Sequence, residues 1–315
     1  MQKTGTPGIK KLIFPWSAVF PVLLFFACWS CTKPTPPAKV VITPLQILIN
    51  SDTTLNLFHA AILQANDAAL LGTQSVTVLA PVDSGFFASG YTIDVIDSLA
   101  AYLADGLVRY HFITTSPISP SPVVNGPYNT LLGIPVYLTR DSLSNVYFNG
   151  TKATLDTVNA GNAVVYKLQS PLATPYDSLD ILLASDSNYS LLAEAFLQTG
   201  LYDSLGSGNY TLLAPDNNAF INAGYTDIPT IDSSNLTVLA NLLKYQVAVG
   251  LYFTNNLSTT SSLNSLQGES IAVSSQNGGF QFTGKSNSSP ANLLVRNTLA
   301  GGNIIVHKTD ELLLP

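Results

Sequence analysis

The chain is poor in cysteine and has none after residue 31. Its two cysteines, Cys28 and Cys31, lie near the start of a sequence of 315 residues. No disulfide can therefore cross-link the remaining sequence, and a cysteine nucleophile is excluded there. Stability must come from the burial of apolar side chains, which a domain of about 130 residues can supply.

Charged residues are also sparse, and basic ones are scarcer than acidic ones. They make up 10% of the chain, with 13 Lys and Arg against 19 Asp and Glu. The arginines are Arg109, Arg140 and Arg296. Three lysines fall in the signal segment predicted below, and without them 10 basic residues face 19 acidic ones, a net charge near −9. Nucleic-acid binding needs a basic surface that neutralises phosphates, so the composition excludes that partner.

Histidine is too rare to supply an ordinary catalytic metal centre. The chain has His59, His111 and His307, in segments of different predicted type, whereas catalytic zinc commonly needs three protein ligands in register. The sequence has no HExxH, no GxSxG and no phosphate-binding loop. Asp216-Asn217-Asn218 lacks the glycine and glutamate of a calcium loop, so we predict a helix cap there. We expect no enzymatic activity, no metal and no cofactor.

A long uninterrupted apolar run is missing as well. The stretch LIFPWSAVFPVLLFFA, Leu12 to Ala27, contains two prolines and is shorter than the roughly 20 residues of a membrane span. It follows a basic segment, and residues 1–30 are therefore predicted to be a secretory signal. The end of this run, ACWSCTK, resembles a bacterial lipoprotein signal. We expect Cys31 to carry the lipid, with Cys28 as the alternative residue and an ordinary cleaved signal as the alternative reading.

Downstream of the signal, two stretches of sequence occur twice. Residues 31–44 are predicted to be a Pro-rich tether. Each stretch recurs in similar form 134 positions later. LQILINSD (Leu45–Asp52) recurs as LDILLASD (Leu179–Asp186), and VTVLAPVDSGFFASGYT (Val76–Thr92) recurs as YTLLAPDNNAFINAGYT (Tyr210–Thr226). A period of this length matches a whole domain. The sequence predicts two homologous domains, at residues 45–174 and 175–315.

In each half of the sequence, segments with helical periodicity come before most of the segments that are typical of strands. In the first half we predict early helices, with Ser51 and Asp52 capping the second, and a helix over Asp97 to His111. In the second half we predict helical structure over Leu179 to Thr199 and over Asn235 to Val249. The later segments PVYLT, VYFNG and AVVYKL are typical of an antiparallel sheet. This order indicates an α+β domain with helices grouped against a sheet.

The recurring motifs resemble those of the fasciclin domain family. The segments Thr77–Phe86 and Thr211–Phe220 resemble its first signature box, and Tyr110-His111 resembles its Tyr-His motif. Asn303–Pro315 resembles its second box, with a weaker copy at Asn162–Leu172. The resemblance implies two tandem wedges, each a small β-sandwich with several helices packed along one edge. It also implies adhesion or matrix binding without catalysis, and in bacteria such domains occur on lipoproteins.

Tyr110, His111 and His307 are the candidate binding or structural motif. The second domain has Tyr245-Gln246 where the first has Tyr110-His111, and the first has Tyr166 where the second has His307. Each domain thus keeps one histidine of two, in complementary positions. The Tyr-His pair either forms a partner-binding surface or packs inside the domain, with His111 bonded to a polar group such as Asp83. We favour the buried interpretation.

The combined prediction is a lipid-anchored, non-catalytic binding or adhesion protein of the cell envelope, of the Bacteroidetes type and on the outer membrane. Its lipid would contact the membrane, and its fasciclin domains would bind an extracytoplasmic protein or glycan. The alternative is a passive structural spacer without a ligand.

Asp-Ser-Leu segments, and one Asp-Thr-Val, resemble the O-glycosylation acceptor of some exported Bacteroidetes proteins and begin at Asp97, Asp141, Asp177, Asp203 and Asp156. The alternative role for these aspartates is to cap helices and turns.

Overall fold

A computed structural model describes residues 42–72, 75–114, 117–118, 124–161, 163–276 and 278–315 of the protein. Side chains within strand residues 155–160 are outside this description. The predicted signal and both Cys28 and Cys31 also lie outside the described residues. Ile42–Pro315 forms one compact unit.

Short helices precede most of the strands in each half of this unit. The first half has α1 Pro44–Ser51, α2 Asn56–Gln64, α3 Asp83–Ala88, α4 Ile93–Ser98 and α5 Ala101–Tyr110, with a 3-10 turn at Ala68–Gly72. The second half has α6 Leu179–Ser185, α7 Ser190–Thr199, α8 Leu201–Ser204, α9 Asn217–Asn222, α10 Ile228–Asp232, α11 Leu236–Gln246 and α12 Thr254–Leu257, with a 3-10 turn at Ser187–Tyr189.

Seven strands form one sheet in each domain. The first sheet contains β1 Thr77–Pro81, β2 Phe112–Ile113, β3 Gly126–Asn129, β4 Pro135–Arg140, β5 Val146–Phe148, β6 Thr151–Ala160 and β7 Ala163–Leu168. The second contains β8 Tyr210–Pro215, β9 Val247–Val249, β10 Ser262–Asn264, β11 Ser270–Gln276, β12 Gly279–Thr283, β13 Ala291–Ala300 and β14 Ile304–Thr309. The strand orders are β2-β1-β7-β6-β5-β4-β3 and β9-β8-β14-β13-β12-β11-β10. The topologies are identical, which confirms the predicted duplication.

The sheets are mixed, so the antiparallel prediction was incomplete. Strand β1 runs parallel to β7, with Thr77 opposite Val164, and β8 runs parallel to β14, with Thr211 opposite Ile305. The paired strands lie at opposite ends of each domain's sequence, and local alternation carries no signal of such pairing. Strand β1 is buried along its whole length, as expected of a strand covered on both faces.

Several predicted helix boundaries also change for local reasons. The helix predicted from Asp97 begins at Ala101, because Leu99 and Ala100 adopt extended conformations. The proposed Ser51-Asp52 cap of α2 was wrong. The backbone N–H of Leu57 in the first turn donates instead to the Asp83 carboxylate at 2.8 Å, from the start of α3. A cap from a distant segment ties α2 to the first signature box, which local sequence could not reveal.

In each domain one strand, β1 or β8, lies between two buried clusters of apolar side chains. In the first domain Val78 faces the helical cluster with Phe58, and Leu79 faces a second cluster with Phe148 and Tyr166. The second domain repeats this with adjacent Leu212 and Leu213 of β8, which belong to different clusters. Each domain is therefore a β-sheet wedge with helices packed on one side, the predicted α+β class.

The two domains pack directly against each other. The Tyr137 ring on β4 lies 5.9 Å from the Phe253 ring of the second domain. Its hydroxyl donates to the Gly302 carbonyl at 2.6 Å, across the same contact. Phe253 belongs to a small buried cluster with Leu299 and Ile305. An aromatic side chain of one domain thus completes an apolar cluster of the other.

The linker between the domains takes part in this contact. The Tyr176 N–H donates to the Leu299 carbonyl at 3.0 Å, and the Gly301 N–H donates to the Tyr176 carbonyl at 2.9 Å. Nearby, the Asn255 amide donates to the Thr139 hydroxyl at 2.8 Å. The linker is thus fixed to the second domain by its backbone, while the Tyr137 and Asn255 contacts join that domain to the first.

Candidate functional site

Tyr110, the first residue of the Tyr-His motif, lies inside the first domain. Its side chain is fully buried beneath the sheet. Its hydroxyl donates to the Pro135 carbonyl at 3.2 Å and accepts from the Asn149 amide at 2.7 Å. Burial raises the pKa of this phenol well above its ordinary value. The phenol therefore acts as a neutral hydrogen-bonding group that joins α5 to the sheet.

His111 follows Tyr110 and is also fully buried. Its Nδ1 lies 2.7 Å from the Leu107 carbonyl, and its Nε2 accepts from the Leu172 N–H at 3.0 Å. This pattern assigns the proton to Nδ1 of a neutral ring. Burial lowers the pKa of His111 to about 4. The suggested partner Asp83 was wrong, because that carboxylate accepts from Leu57 instead, at 2.8 Å.

Gln246 reproduces the His111 hydrogen bonds in the second domain. Its amide nitrogen donates to the carbonyl of Leu242, four residues earlier, at 3.0 Å, and its carbonyl accepts from the Leu313 N–H at 3.0 Å. Leu313 follows β14 as Leu172 follows β7. A glutamine amide can make the same donor and acceptor pair as a neutral imidazole. The hydrogen bonds are thus retained while the titratable group is lost.

The second pair of motif positions shows the same kind of substitution. In the second domain His307 Nε2 lies 2.8 Å from the Tyr252 carbonyl. In the first domain the Tyr166 hydroxyl donates to the Ile118 carbonyl at 3.3 Å. These two carbonyls hold corresponding places, since the N–H groups of Ile118 and Tyr252 donate to the equivalent threonines of β1 and β8. Burial lowers the pKa of His307 to about 4.

The structure therefore places the candidate residues in two separate domain interiors. Tyr110 and His111 lie in the first domain and His307 in the second, all without exposed surface. Neither histidine can contact a partner while its domain is folded. Among the described residues, no group of three His, Cys, Asp or Glu side chains is placed to hold a metal ion. The Asp216 carboxylate accepts from the Ala219 N–H at 3.0 Å, which confirms the predicted helix cap.

The predicted glycosylation acceptors differ in their surroundings. Ser98, Ser142 and Ser204 are exposed. Asp141 accepts from the Leu143 and Asn145 N–H groups at 3.0 and 2.8 Å, as a turn cap does. The Asp156 side chain lies outside the described residues. Glycosylation of the exposed serines stays a prediction.

A cleft with a volume of about 540 Å³ lies where the two domains meet. We call it the junction cleft, and its polar lining includes Asn149, Lys152 and Gln169 from the first domain and Thr254, Arg296 and Asn297 from the second. Both domains contribute, so the junction cleft exists only in the packed pair. Sequence reasoning missed it because only one stretch of its lining, Gln169–Leu172, lies in a signature motif, and there at the end of the weaker second-box copy.

A β-bulge in β13 shapes the second-domain wall of the junction cleft. Pairing of β13 with β14 shifts between Val295 and Thr298, so Arg296 and Asn297 together stand opposite His307. Asn297 has a φ of 60°, in the left-handed region that asparagine tolerates. The sequence signal for this feature is the polar pair Arg296-Asn297, which follows the apolar run Leu293–Val295.

Replacement of His111 tests its structural role. His111→Ala should lower the free energy of unfolding by about 1–3 kcal/mol, because the Leu172 N–H and Leu107 carbonyl lose their buried partner. His111→Gln should be milder, since Gln246 makes the equivalent bonds at that position. Chemical denaturation at pH 7 measures both values. An alanine variant as stable as the parent protein would contradict the structural role.

Comparisons with known proteins agree with the repeated motifs. A family model described as Fasciclin domain matches residues 53–175 and 187–315. The chain is 28% identical over 244 residues to transforming growth factor-beta-induced protein ig-h3 of Sus scrofa, over 75% of this chain and 33% of that protein. It is 25% identical over 236 residues to periostin of Homo sapiens, over 73% of this chain and 27% of that protein. The chain spans about a third of the length of these relatives.

Among solved structures, the chain is similar to a FAS1 domain pair from the insect cell adhesion molecule fasciclin I. The sequence identity is 18% and the TM-score is 0.40, over 83% of this chain and 97% of that one. Within the described residues, no helix is both long and apolar enough to cross a bilayer.

Proposed function

The chain belongs to the fasciclin domain family, and from this membership we propose that it is a non-catalytic binding or adhesion protein anchored in the cell envelope. The two domains would present a ligand-binding surface to an extracytoplasmic protein or glycan. A lipid on Cys31, or on Cys28, would hold the N-terminus in the outer membrane. The observation that carries the proposal is the packed pair of family domains, whose motif histidines serve internal hydrogen bonds.

Exposed apolar side chains at corresponding positions of the two domains favour a ligand over a passive spacer. Ile47 and Ile181 are 56% and 48% exposed. Further exposed pairs at corresponding positions are Leu63 with Leu197, Phe87 with Ile221, Ile93 with Ile228, and Leu103 with Val238. A surface that contacts another molecule would be formed where such exposed residues lie side by side in one patch.

The proposal is tested by capture from envelope extract. The fragment Lys39–Pro315, immobilised through its N-terminus, should retain a protein or polysaccharide that a heat-denatured sample of the same fragment does not. A glycan array with the same fragment separates the two ligand classes. Retention of nothing in both assays would contradict the binding function and favour the passive spacer.

Replacement of the cysteine tests the anchor. Cys31→Ser should yield an unprocessed precursor or a released form, since the lipid is attached through the cysteine sulfur. Membrane fractionation combined with mass spectrometry of the N-terminal peptide checks this. Cys28→Ser is the matched control and should leave lipidation intact. Normal lipidation of the Cys31→Ser protein would assign the modification to Cys28 instead.

A further inference from the structure

The junction cleft is a preformed polar site rather than a gap between loosely packed surfaces. On the first-domain wall, the Asn149 carbonyl accepts from the Tyr137 N–H at 2.8 Å and its amide donates to the Tyr110 hydroxyl at 2.7 Å. On the second-domain wall, the Asn297 carbonyl accepts from the Thr254 N–H at 3.0 Å. Both amides are therefore fixed by buried partners, and the walls are held in place before any ligand arrives.

Close approach of the two walls depends on one glycine. Gly150 has a φ of 76°, and a Cβ placed on it would lie 2.5 Å from the Asn297 amide nitrogen. Glycine therefore satisfies both the backbone conformation and the spacing between domains. This contact sets the width of the junction cleft at its base.

The charge in the junction cleft opposes that of the protein. The chain carries a net charge of −6, yet the side chains that line the cleft include Lys152 and Arg296 and no carboxylate. Arg109, Lys285 and Lys308, by contrast, each contact a carboxylate. Neither Lys152 nor Arg296 has an ion-pair partner among the residues that the structure describes. Two uncompensated cations in one cleft favour an anionic ligand.

The remaining lining favours a ligand with hydroxyl groups. The side chains of Gln169, Ser170 and Thr151 have no hydrogen-bond partner among the described residues, and they supply both donors and acceptors. Tyr147 lies opposite Lys152 in the pairing of β5 with β6, so its ring is beside the cationic side chain. Its hydroxyl donates to Asp141 at 3.0 Å, which fixes the ring. A fixed aromatic ring offers an apolar surface to one face of a sugar.

We propose that the junction cleft binds a carboxylate-bearing saccharide, with Lys152 and Arg296 contacting the carboxylate and the amide and hydroxyl groups contacting the sugar hydroxyls. This inference rests on the proposed binding function and names its ligand class, a uronate unit of an acidic polysaccharide. The volume of about 540 Å³ lies within the range of roughly 300–1,000 Å³ that small-ligand sites occupy. An acidic peptide would use the two cations and could pair its backbone with the other polar groups, but it has no sugar face to place on the Tyr147 ring.

Calorimetric titration of the purified full chain tests the proposal. The probes are trigalacturonate, triglucuronate, neutral galactotriose and hexaglutamate. At least one uronate trimer should bind, and galactotriose and hexaglutamate should each bind at least about tenfold more weakly, because they lack the carboxylate or the hydroxyls. Added salt should weaken uronate binding. Failure of both uronate trimers to bind, or equal binding of galactotriose or hexaglutamate, would overturn the assignment.

Charge-neutral variants locate the site. Lys152→Gln/Arg296→Gln should weaken uronate binding at least about tenfold, because both charge-assisted contacts are lost. Arg140→Gln is the matched control: it removes an exposed arginine that lies outside the cleft lining. It should bind like the parent protein, and all variants should keep the parent melting temperature. Unchanged uronate binding by the double variant would place the site elsewhere.

The capture assay separates this inference from the function on which it rests. The double variant is applied to the same envelope extract as the parent chain. If both retain the same ligand and no uronate binds, the junction cleft assignment is wrong and the binding function stands. If neither the parent chain nor the variant retains a ligand and no uronate binds, the binding function fails as well.

Discussion

The free energy of unfolding should fall steeply as the pH is lowered from about 6.5 to about 4. Burial lowers the pKa of both His111 and His307 to about 4, from an ordinary value of 6.5. In this window the unfolded chain binds protons that the folded chain excludes, so stability rises with pH and is lost on acidification. Each histidine contributes about 3 kcal/mol across the window. Urea denaturation at several pH values measures the slope.

A variant separates the contributions of the two domains. His111→Gln removes one of the two protons and should reduce the pH dependence by about half, while His307 still titrates. Carboxylates whose pKa is lowered, such as Asp52, lose their stabilising contribution mainly below their ordinary value of 3.8. Burial raises the pKa of Asp67, so this carboxyl contributes with the opposite sign at the acidic end of the window. A full slope in the His111→Gln protein would show that His111 does not carry the effect.

Gly85→Ala should destabilise the first domain by about 3 kcal/mol or more. A Cβ on Gly85 would lie 2.1 Å from the Gln169 carbonyl oxygen and 2.8 Å from the Ser170 Cα. Both are backbone atoms, so a side-chain rotation cannot relieve the clash. Helix α3 or the segment after β7 must move, and both touch the first signature box. Thermal and urea denaturation measure the loss.

Gly106→Ala is the matched control. Gly106 lies in α5, and a Cβ there would have no other atom within 4 Å. Alanine should therefore stabilise the protein by about 0.5–1 kcal/mol through its helix propensity. The second domain has Ala219 at the position of Gly85 and buries it fully, so that copy accommodates a methyl group. A Gly85→Ala protein as stable as the Gly106→Ala protein would contradict the packing argument.

Repetition made much of the fold predictable. The segment TVLAP and its second copy TLLAP are each followed by the beginning of a helix, and this repetition predicted two domains of the same fold. The matching strand orders confirm this. The Asp216 cap was predictable because its partner lies three residues away. The parallel pairing of Thr77 with Val164 was not, because it joins segments 87 positions apart with no local signature.

The chemistry of the candidate residues was only partly predictable. Exchange of His111 for Gln246 indicated a hydrogen-bonding role, because both side chains can donate and accept. The partners of His111 are backbone groups of Leu107 and Leu172. Every residue type has such groups, so the sequence does not show which of them a side chain will contact. The junction cleft was out of reach, since it needs a β-bulge at Arg296 and the docking of two domains.

The pairing of the linker with β13 has a mechanical consequence. The N–H and the carbonyl of Tyr176 are hydrogen-bonded to Leu299 and Gly301, and the Tyr137 ring packs against Phe253. Tension applied between Ile42 and Pro315 must break these contacts before the domains can separate and the linker can extend. The two domains should therefore resist bending at the linker until these contacts are broken.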